Sequence, residues 1–370
     1  MKSFTLSPFR RMTTFIPSRN NDVEVFTLAE FKEKFDLVLK AHLDKKIASY
    51  ISIIDNQISA EIVKHAASLV IVGGKRIRPY MTYLAYRTLG GTDIDCSFRI
   101  GVALELFHTF ALIHDDIIDR GTTRHGIQTT HEFGKDKAGQ CPTGDAHHVG
   151  ESMAILAGDL LFSWSSEIVG QTESLEVKRI YNRMIDEVVA GQMLDVSLML
   201  SRETTGETLD KKNELKTARY TFVNPLYIGE AMANKSIGNS FFEKFGLLLG
   251  LLFQIQDDLL DVVGRSDQTG KETFLDVASG QHTYLSQYVF LNGTANQKKI
   301  LYEYFGKPVP PHAKEILMAM FRESGAVAYA ENKVAEYATS AQMLLMDTTL
   351  VGVCKKRFSE VLEMLLKRKK

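Results

Sequence analysis

The chain has 370 residues, 45% hydrophobic and 24% charged, with 44 Lys and Arg against 45 Asp and Glu for a formal net charge of −1. Such a length can bury a large core, and the near-neutral balance gives no reason to expect a nucleic-acid partner. The three cysteines, Cys96, Cys141 and Cys354, follow neither a disulfide framework nor a zinc-knuckle spacing and fit a reducing compartment such as the cytoplasm. No apolar run reaches the roughly 18 residues of a membrane span, so no stable membrane insertion is expected.

The first 21 residues contain Lys2, Arg10, Arg11 and Arg19 and no acid before Asp22. Residues 1–24 are expected to be a disordered basic terminus, with an organelle transit peptide as the alternative. Apolar residues then recur at helical spacing (Phe31, Phe35, Leu39, then Ile47, Ile51, Ile54, Ile58, Ile62) without Gly or Pro, which predicts two helices over residues 28–69. Gly73 and Gly74 break the pattern before Lys75, Arg76, Arg78 and Pro79. Glycines beside three cations, with a Pro suited to a first helical turn, make an anion cradle or an exposed basic helix start.

Helices follow over residues 81–89 and 96–119. A loop with Gly121, Arg124, His125 and Gly126 comes next, and residues 131–150, rich in Gly and His, read as a surface loop. Helices return over 151–170 and 175–200. Residues 201–213 read as a polar loop, and a helix through Lys216, Thr217 and Tyr220 is expected to break near Pro225. Residues 264–282 read as a further loop, and Pro308, Pro310 and Pro311 as a hinge before the closing helices. No period-2 strand pattern occurs, so the expected architecture is all-α, a single helical bundle over residues 25–370.

Two stretches carry the chemistry. Residues 107–119, FHTFALIHDDIID, place Asp115, Asp116 and Asp119 at spacing i, i+1, i+4, and residues 253–261, FQIQDDLLD, repeat the spacing with Asp257, Asp258 and Asp261. At about 100° per residue, the first and last of each set fall within about 40° on one helical face. Two like charges at about 4 Å cost on the order of 4 kcal/mol at an effective dielectric of about 20, which a cation must offset. With carboxylate oxygens and no Cys or His at zinc spacing, Mg²⁺ or Mn²⁺ is favoured. Mg²⁺ takes one or two carboxylates and completes its shell with water and phosphate, so two sparse sets imply a phosphorylated ligand between them.

The chain resembles the trans-isoprenyl diphosphate synthases, the polyprenyl synthetase family, over about residues 37–365. The resemblance rests on GGKRIRP, on LIHDDIID followed by Arg124, on AGDLLF at 157–162, GQMLD at 191–195, LKTARY at 215–220 and FQIQDDLLD. Its tone is closer to bacterial geranylgeranyl or farnesyl diphosphate synthases than to animal ones. It implies an isoprenoid synthase-type bundle with a central cavity, and Mg²⁺-dependent condensation of isopentenyl diphosphate with an allylic diphosphate to a short prenyl diphosphate, geranylgeranyl before farnesyl. It also implies three Mg²⁺ ions, with Mn²⁺ as a substitute, and a homodimer.

By the same resemblance Asp115, Asp119 and Asp257 ligate metal, supported by Asp116, Asp195, Asp258 and Asp261. Arg124, Lys216, Thr217, Gln192, Gln254 and Lys271 attend the allylic diphosphate, and Arg124, Lys216, Gln254 and Lys271 are the catalytic candidates. Lys75, Arg78, His108 and His125 serve isopentenyl diphosphate, and Phe110 and Ala111 form the pocket floor. Two other readings compete. A terpene cyclase on the same fold would have no use for the second diphosphate site at Lys75, Arg78 and His108. A non-catalytic partner subunit commonly has degraded acidic sets, and both are intact here.

The chain departs from the family twice. His125 stands where most members have a second arginine, and Gln281 follows Gly280 where many have a lysine. An imidazole with an unperturbed pKa of about 6.5 must have its charge induced by the phosphate, whereas a guanidinium is always charged. His125→Arg should therefore lower the KM for isopentenyl diphosphate; an unchanged KM would contradict this reading.

Overall fold

The protein is represented by a computed structural model that describes residues 24–139, 144–201, 204–235, 241–264, 273–348, 350 and 352–367. Residues 1–23 of the expected disordered terminus, Cys141 and Lys271 lie outside the described residues. Helices α1 (Leu28–Ile54), α2 (Gln57–Val72), α3 (Ile77–Thr88) and α4 (Ile94–Ile118) come first. A short hairpin, β1 (Thr123–Arg124) and β2 (Ile127–Gln128), leads to α5 (Thr130–Ala138), α6 (Ala146–Gly170), α7 (Leu175–Leu198) and α8 (Gly206–Asn213). A π-helix, Glu214–Val223, runs into α9 (Asn224–Met232). Then come α10 (Phe241–Val263), α11 (Leu275–Ser279), α12 (Tyr284–Asn292), α13 (Ala295–Tyr304), α14 (Pro311–Glu323), α15 (Ala326–Asp347) and α16 (Gly352–Leu366).

The helical bundle matches the expected class, with several local corrections. Residues 131–150 are mostly helical, in α5 and the first turn of α6, where Asp145 accepts the N–H of His147 at 3.0 Å as a cap. Residues 206–213 form α8 behind a Thr205 cap. The hairpin is too short for a period-2 pattern to show. Its turn residues, His125 at φ 53° and Gly126 at φ 79°, are both left-handed, as a tight two-residue turn requires. Pro225 does not break the helix; it lies where the wider π-helical spiral returns to α.

Helix α4 is the centre of the bundle. Asp93 caps it by accepting the N–H of Cys96 at 2.8 Å, and Phe98, Val102, Leu106, Phe107 and Ile113 are all buried. It packs on α3 and α6, while α10 packs on the π-helix and α15. Contrary to the sequence expectation, α4 and α6 are each long and apolar enough, by length and composition, to cross a membrane. The apolar stretch of α4 is 67% buried inside the bundle, and the whole helix carries Glu105, His108, Asp115 and Asp116. That of α6 is 44% buried, and Ile155 and Leu156 on it are exposed.

The π-helix is squeezed between two neighbours. A Cβ at Gly191 of α7 would lie 2.4 Å from the backbone nitrogen of Lys216, and one at Gly250 of α10 would lie 2.2 Å from the Cα of Ala218. Only glycine admits such an approach. The two glycines let the LKTARY segment sit against both α7, which carries GQMLD, and α10, which carries the second aspartate set.

Candidate active site

Both aspartate sets stand at the C-terminal ends of their helices, α4 closing at Ile118 and α10 at Val263. That end of a helix carries about half a negative charge from its unpaired carbonyls. Carboxylates placed there add to an existing negative potential.

In the first set the three carboxylates have different partners. Asp116 is buried, and Arg124 grips it from Nε at 2.7 Å and from Nη2 at 2.5 Å. Asp116 therefore orients Arg124 through its carboxylate oxygens. Asp115 accepts from Gln192 Nε2 at 3.0 Å and lies 3.7 Å from Lys216 Nζ. Asp119 accepts from Gln281 Nε2 at 3.0 Å. Burial and the neighbouring Asp115 push the Asp119 carboxyl up to about 7.

In the second set, Asp258 is buried and accepts from Gln254 Nε2 at 2.7 Å, and Gln254 Oε1 accepts from Thr217 at 2.6 Å. Burial, reinforced by Asp257 and Asp261, raises the Asp258 carboxyl to about 7 even though Lys212 and Gln254 oppose the shift. Asp261 accepts the backbone N–H of Leu275 at 2.9 Å and of Asp276 at 3.2 Å, and so caps α11. Asp276, which sequence reading missed, is pushed well above its ordinary value by burial and then by Asp261, Asp258 and Asp257.

A chain of alternating charges joins the sets. Lys216 Nζ donates to Asp195 Oδ2 at 2.6 Å, and Lys212 Nζ lies 3.1 Å from Asp195 Oδ1. Although burial works the other way, Lys212 and Lys216 hold the Asp195 carboxyl below its usual range. Likewise Asp115 and Asp195 outweigh burial and raise the Lys216 ammonium, which is charged throughout the physiological range. Asp195 is thus held by two lysines. Lys212 was also missed, because in DKKNELKT it reads as one of a solvated charge run.

The basic loop divides its cations. Arg76 is only 2% exposed, with φ 56°, and donates to Glu105 at 2.6 Å, Asp36 at 2.7 Å and the carbonyl of Ile71 at 3.1 Å. It anchors the loop and does not belong to an anion cradle. Lys75 is exposed. Arg78 lies over the Tyr220 ring, 4.3 Å from its centroid, and donates to Thr221 at 2.8 Å. The Tyr220 hydroxyl is 3.1 Å from His108 Nδ1. Burial, then Arg78 and Arg124, hold the His108 imidazole well below its usual value, so it offers a neutral hydrogen bond and no charge. His125 lies against Gly73, where a Cβ would come within 2.4 Å of its ring. Arg78 and His108 thus meet across Tyr220, and His125 lies near enough to act on the His108 imidazole.

Phe110 lies within a cluster formed by Phe107 at 5.4 Å, Phe162 at 5.1 Å and His114 at 4.6 Å between ring centroids. Ala111 is half-buried beside it. Among the described residues no three His, Cys, Asp or Glu side chains converge tightly enough to cage an ion by themselves. Paired carboxylates that need a cation, without a protein cage, fit an ion such as Mg²⁺ that completes its shell with water and phosphate.

An all-helical bundle that ends two of its helices on aspartate sets, with cations set against them, is the class this geometry defines. The polyprenyl synthetase family model matches residues 59–320, and the chain belongs to that family. It is 32% identical to a short chain isoprenyl diphosphate synthase of Methanocaldococcus jannaschii over 74% of this chain and 78% of that one. Similarity extends to a geranylgeranyl diphosphate synthase of Methanosarcina mazei, at 29% identity over 75% of this chain and 81% of that one. A geranylgeranyl pyrophosphate synthase of Corynebacterium glutamicum, solved with isoprenyl diphosphate and magnesium, superposes with a TM-score of 0.85 at 27% identity, covering 91% of this chain and 99% of that one. The chain is a prenyltransferase.

A carboxyl raised in the fold favours folding below its unfolded value of about 4, and that contribution is lost as pH rises through its folded value of about 7. The buried histidines titrate in the opposite sense, so the effect is isolated by substitution. In metal-free protein, Asp119→Asn should raise Tm at about pH 8 and by clearly less at about pH 5. A difference in Tm independent of pH would contradict this assignment.

Proposed function

We propose that the protein condenses isopentenyl diphosphate with an allylic diphosphate, in a Mg²⁺-dependent reaction, to geranylgeranyl diphosphate, with farnesyl diphosphate as the shorter alternative. The observation that carries this reading is the pairing of two anion sites. One is the basic side of Arg78, His108 and His125, to which the resemblance adds Lys75, and the other is the pair of aspartate sets with Lys216, Asp195 and Lys212 between them. A single-substrate cyclase would need only the second.

The allylic C–O bond breaks and its electron pair leaves with the diphosphate. The π bond of isopentenyl diphosphate then attacks the allylic cation, and a proton is lost from the lengthened chain. Mg²⁺, when bound, supplies positive charge against the charge developing on the leaving diphosphate. Asp115, Asp119 and Asp257 are the residues that would hold it, and a neighbour solved with magnesium supports the choice of metal.

The chain's own contribution is orientation. Lys216 and Arg124, fixed by Asp195 and Asp116, bring permanent charge to the diphosphate. Thr217 holds Gln254 and Gln254 holds Asp258, so the π-helix sets the geometry of the second set. Exposed Ile155 and Leu156 on α6, with Val189, Met193 and Val196 on one face of α7, support the homodimer that the resemblance implies.

Relatives do not fix product length, since they range from short chain synthases to an octaprenyl diphosphate synthase of Haemophilus influenzae, 28% identical. The aromatic cluster around Phe110 supports a shallow floor. One helical turn further down is about 5.4 Å, close to one isoprene unit. Purified protein given Mg²⁺, isopentenyl diphosphate and each allylic diphosphate in turn should stop at geranylgeranyl or farnesyl diphosphate, and Phe110→Ala should lengthen the product by at least one unit. No product from any allylic partner would overturn the function, and an unchanged profile in the variant would remove Phe110 from the floor.

A further inference from the structure

Residues 280–283 cross from the second aspartate set to the first, and each is fixed by a separate contact. Gly280 has φ 74°, and a Cβ there would lie 3.2 Å from the Cα of Gly306. Gln281 donates its backbone N–H to Asp276 O at 2.8 Å and its side-chain Nε2 to Asp119 Oδ1 at 3.0 Å. His282 is fully buried; its carbonyl accepts from Lys212 Nζ at 2.7 Å, and its ring Nε2 lies 2.9 Å from Ser201 O. Thr283 caps α12. Asp261 holds the preceding short helix, α11, by its first two N–H groups.

Lys212 is the unexpected member. Its side chain is 6% exposed, and a buried ammonium is tolerated only where it is paired and hydrogen-bonded. Neutralising Asp195 does not require it, because Lys216 already sits 2.6 Å from that carboxylate. Its other bond goes to the carbonyl next to Gln281. That carbonyl lies one residue from the side-chain amide that donates to Asp119.

We propose that residues 280–283 form a positioning strap: Lys212 fixes the strap, and Gln281 orients Asp119 for the cation that accompanies the diphosphate. The second aspartate set, through Asp261 and α11, thereby helps to set the geometry of the first. Neither Lys212 nor Gln281 touches the reacting atoms. The strap rests on the proposed sharing of a Mg²⁺–diphosphate group by the two sets.

The test uses Q281A, K212M and the double variant. It reads the Mg²⁺ concentration that half-saturates the rise in Tm at fixed inorganic diphosphate, and the steady-state constants. Each single variant should raise the half-saturating Mg²⁺ concentration about tenfold, and the double variant by no more than the larger single effect, because residues acting in series are not additive. The KM for isopentenyl diphosphate should stay within about twofold, since the basic side is untouched. Should K212M fail to fold, Q281A alone decides, because its side chain is not part of the core. A wild-type Tm rise with Q281A indistinguishable from wild type would overturn the strap alone, and so would effects that add in the double variant. No rise in Tm for wild type would overturn the shared diphosphate site and the strap with it.

Discussion

Two helices of this bundle end on carboxylates at the end where the helix itself is already negative. Asp115, Asp116 and Asp119 close α4, and Asp257, Asp258 and Asp261 close α10. Most surface helices place cations there, which is worth about 0.3–1 kcal/mol each. Reversing the preference twice leaves a concentration of charge that the protein relieves internally as far as it can. Arg124 covers Asp116, Lys216 and Lys212 cover Asp195, and the acids without enough cover, Asp119 and Asp258, shift upward to about 7. Under the proposed function, the uncompensated remainder is what would draw divalent cations together with a diphosphate.

The rest of the fold serves that arrangement. Gly191 and Gly250 admit the π-helix between α7 and α10, and its wider spiral carries both Lys216 and Thr217. A π-helix of this length is uncommon, and such segments cluster at functional sites. Here the reason is visible in the contacts. Lys216 reaches Asp195 and Asp115, Thr217 reaches Gln254, and Tyr220 lies between Arg78 and His108. One segment therefore touches both aspartate sets and the basic side.

Much of the site was legible because the chemistry demands particular residues at particular spacings. Aspartates at i, i+1, i+4 after an apolar run, and glycines before a cluster of cations, are visible without coordinates. Direction was not legible. Among Lys75, Arg76 and Arg78 nothing local marks Arg76 as the one turned inward; the left-handed backbone at Arg76 and the distant Glu105 and Asp36 decide it. Among Lys211 and Lys212, burial against His282 some 70 residues away separates a core cation from a surface one. Asp116 and Asp261 look equivalent to their neighbours in sequence, yet one orients an arginine and the other caps a helix. In the fold, α5 and α8 went unread because glycines and charges outweighed their short apolar faces, and the hairpin because two-residue strands have no period.

The central claim is that one diphosphate is shared by both helix ends. A double-mutant cycle on Asp115→Asn and Asp257→Asn tests it most directly, reading the Mg²⁺-dependent affinity for inorganic diphosphate by calorimetry. Residues that hold one shared group lose it together, so each single substitution should remove most of the affinity and the double should remove little more. Losses that simply add would show two independent sites and would contradict the account.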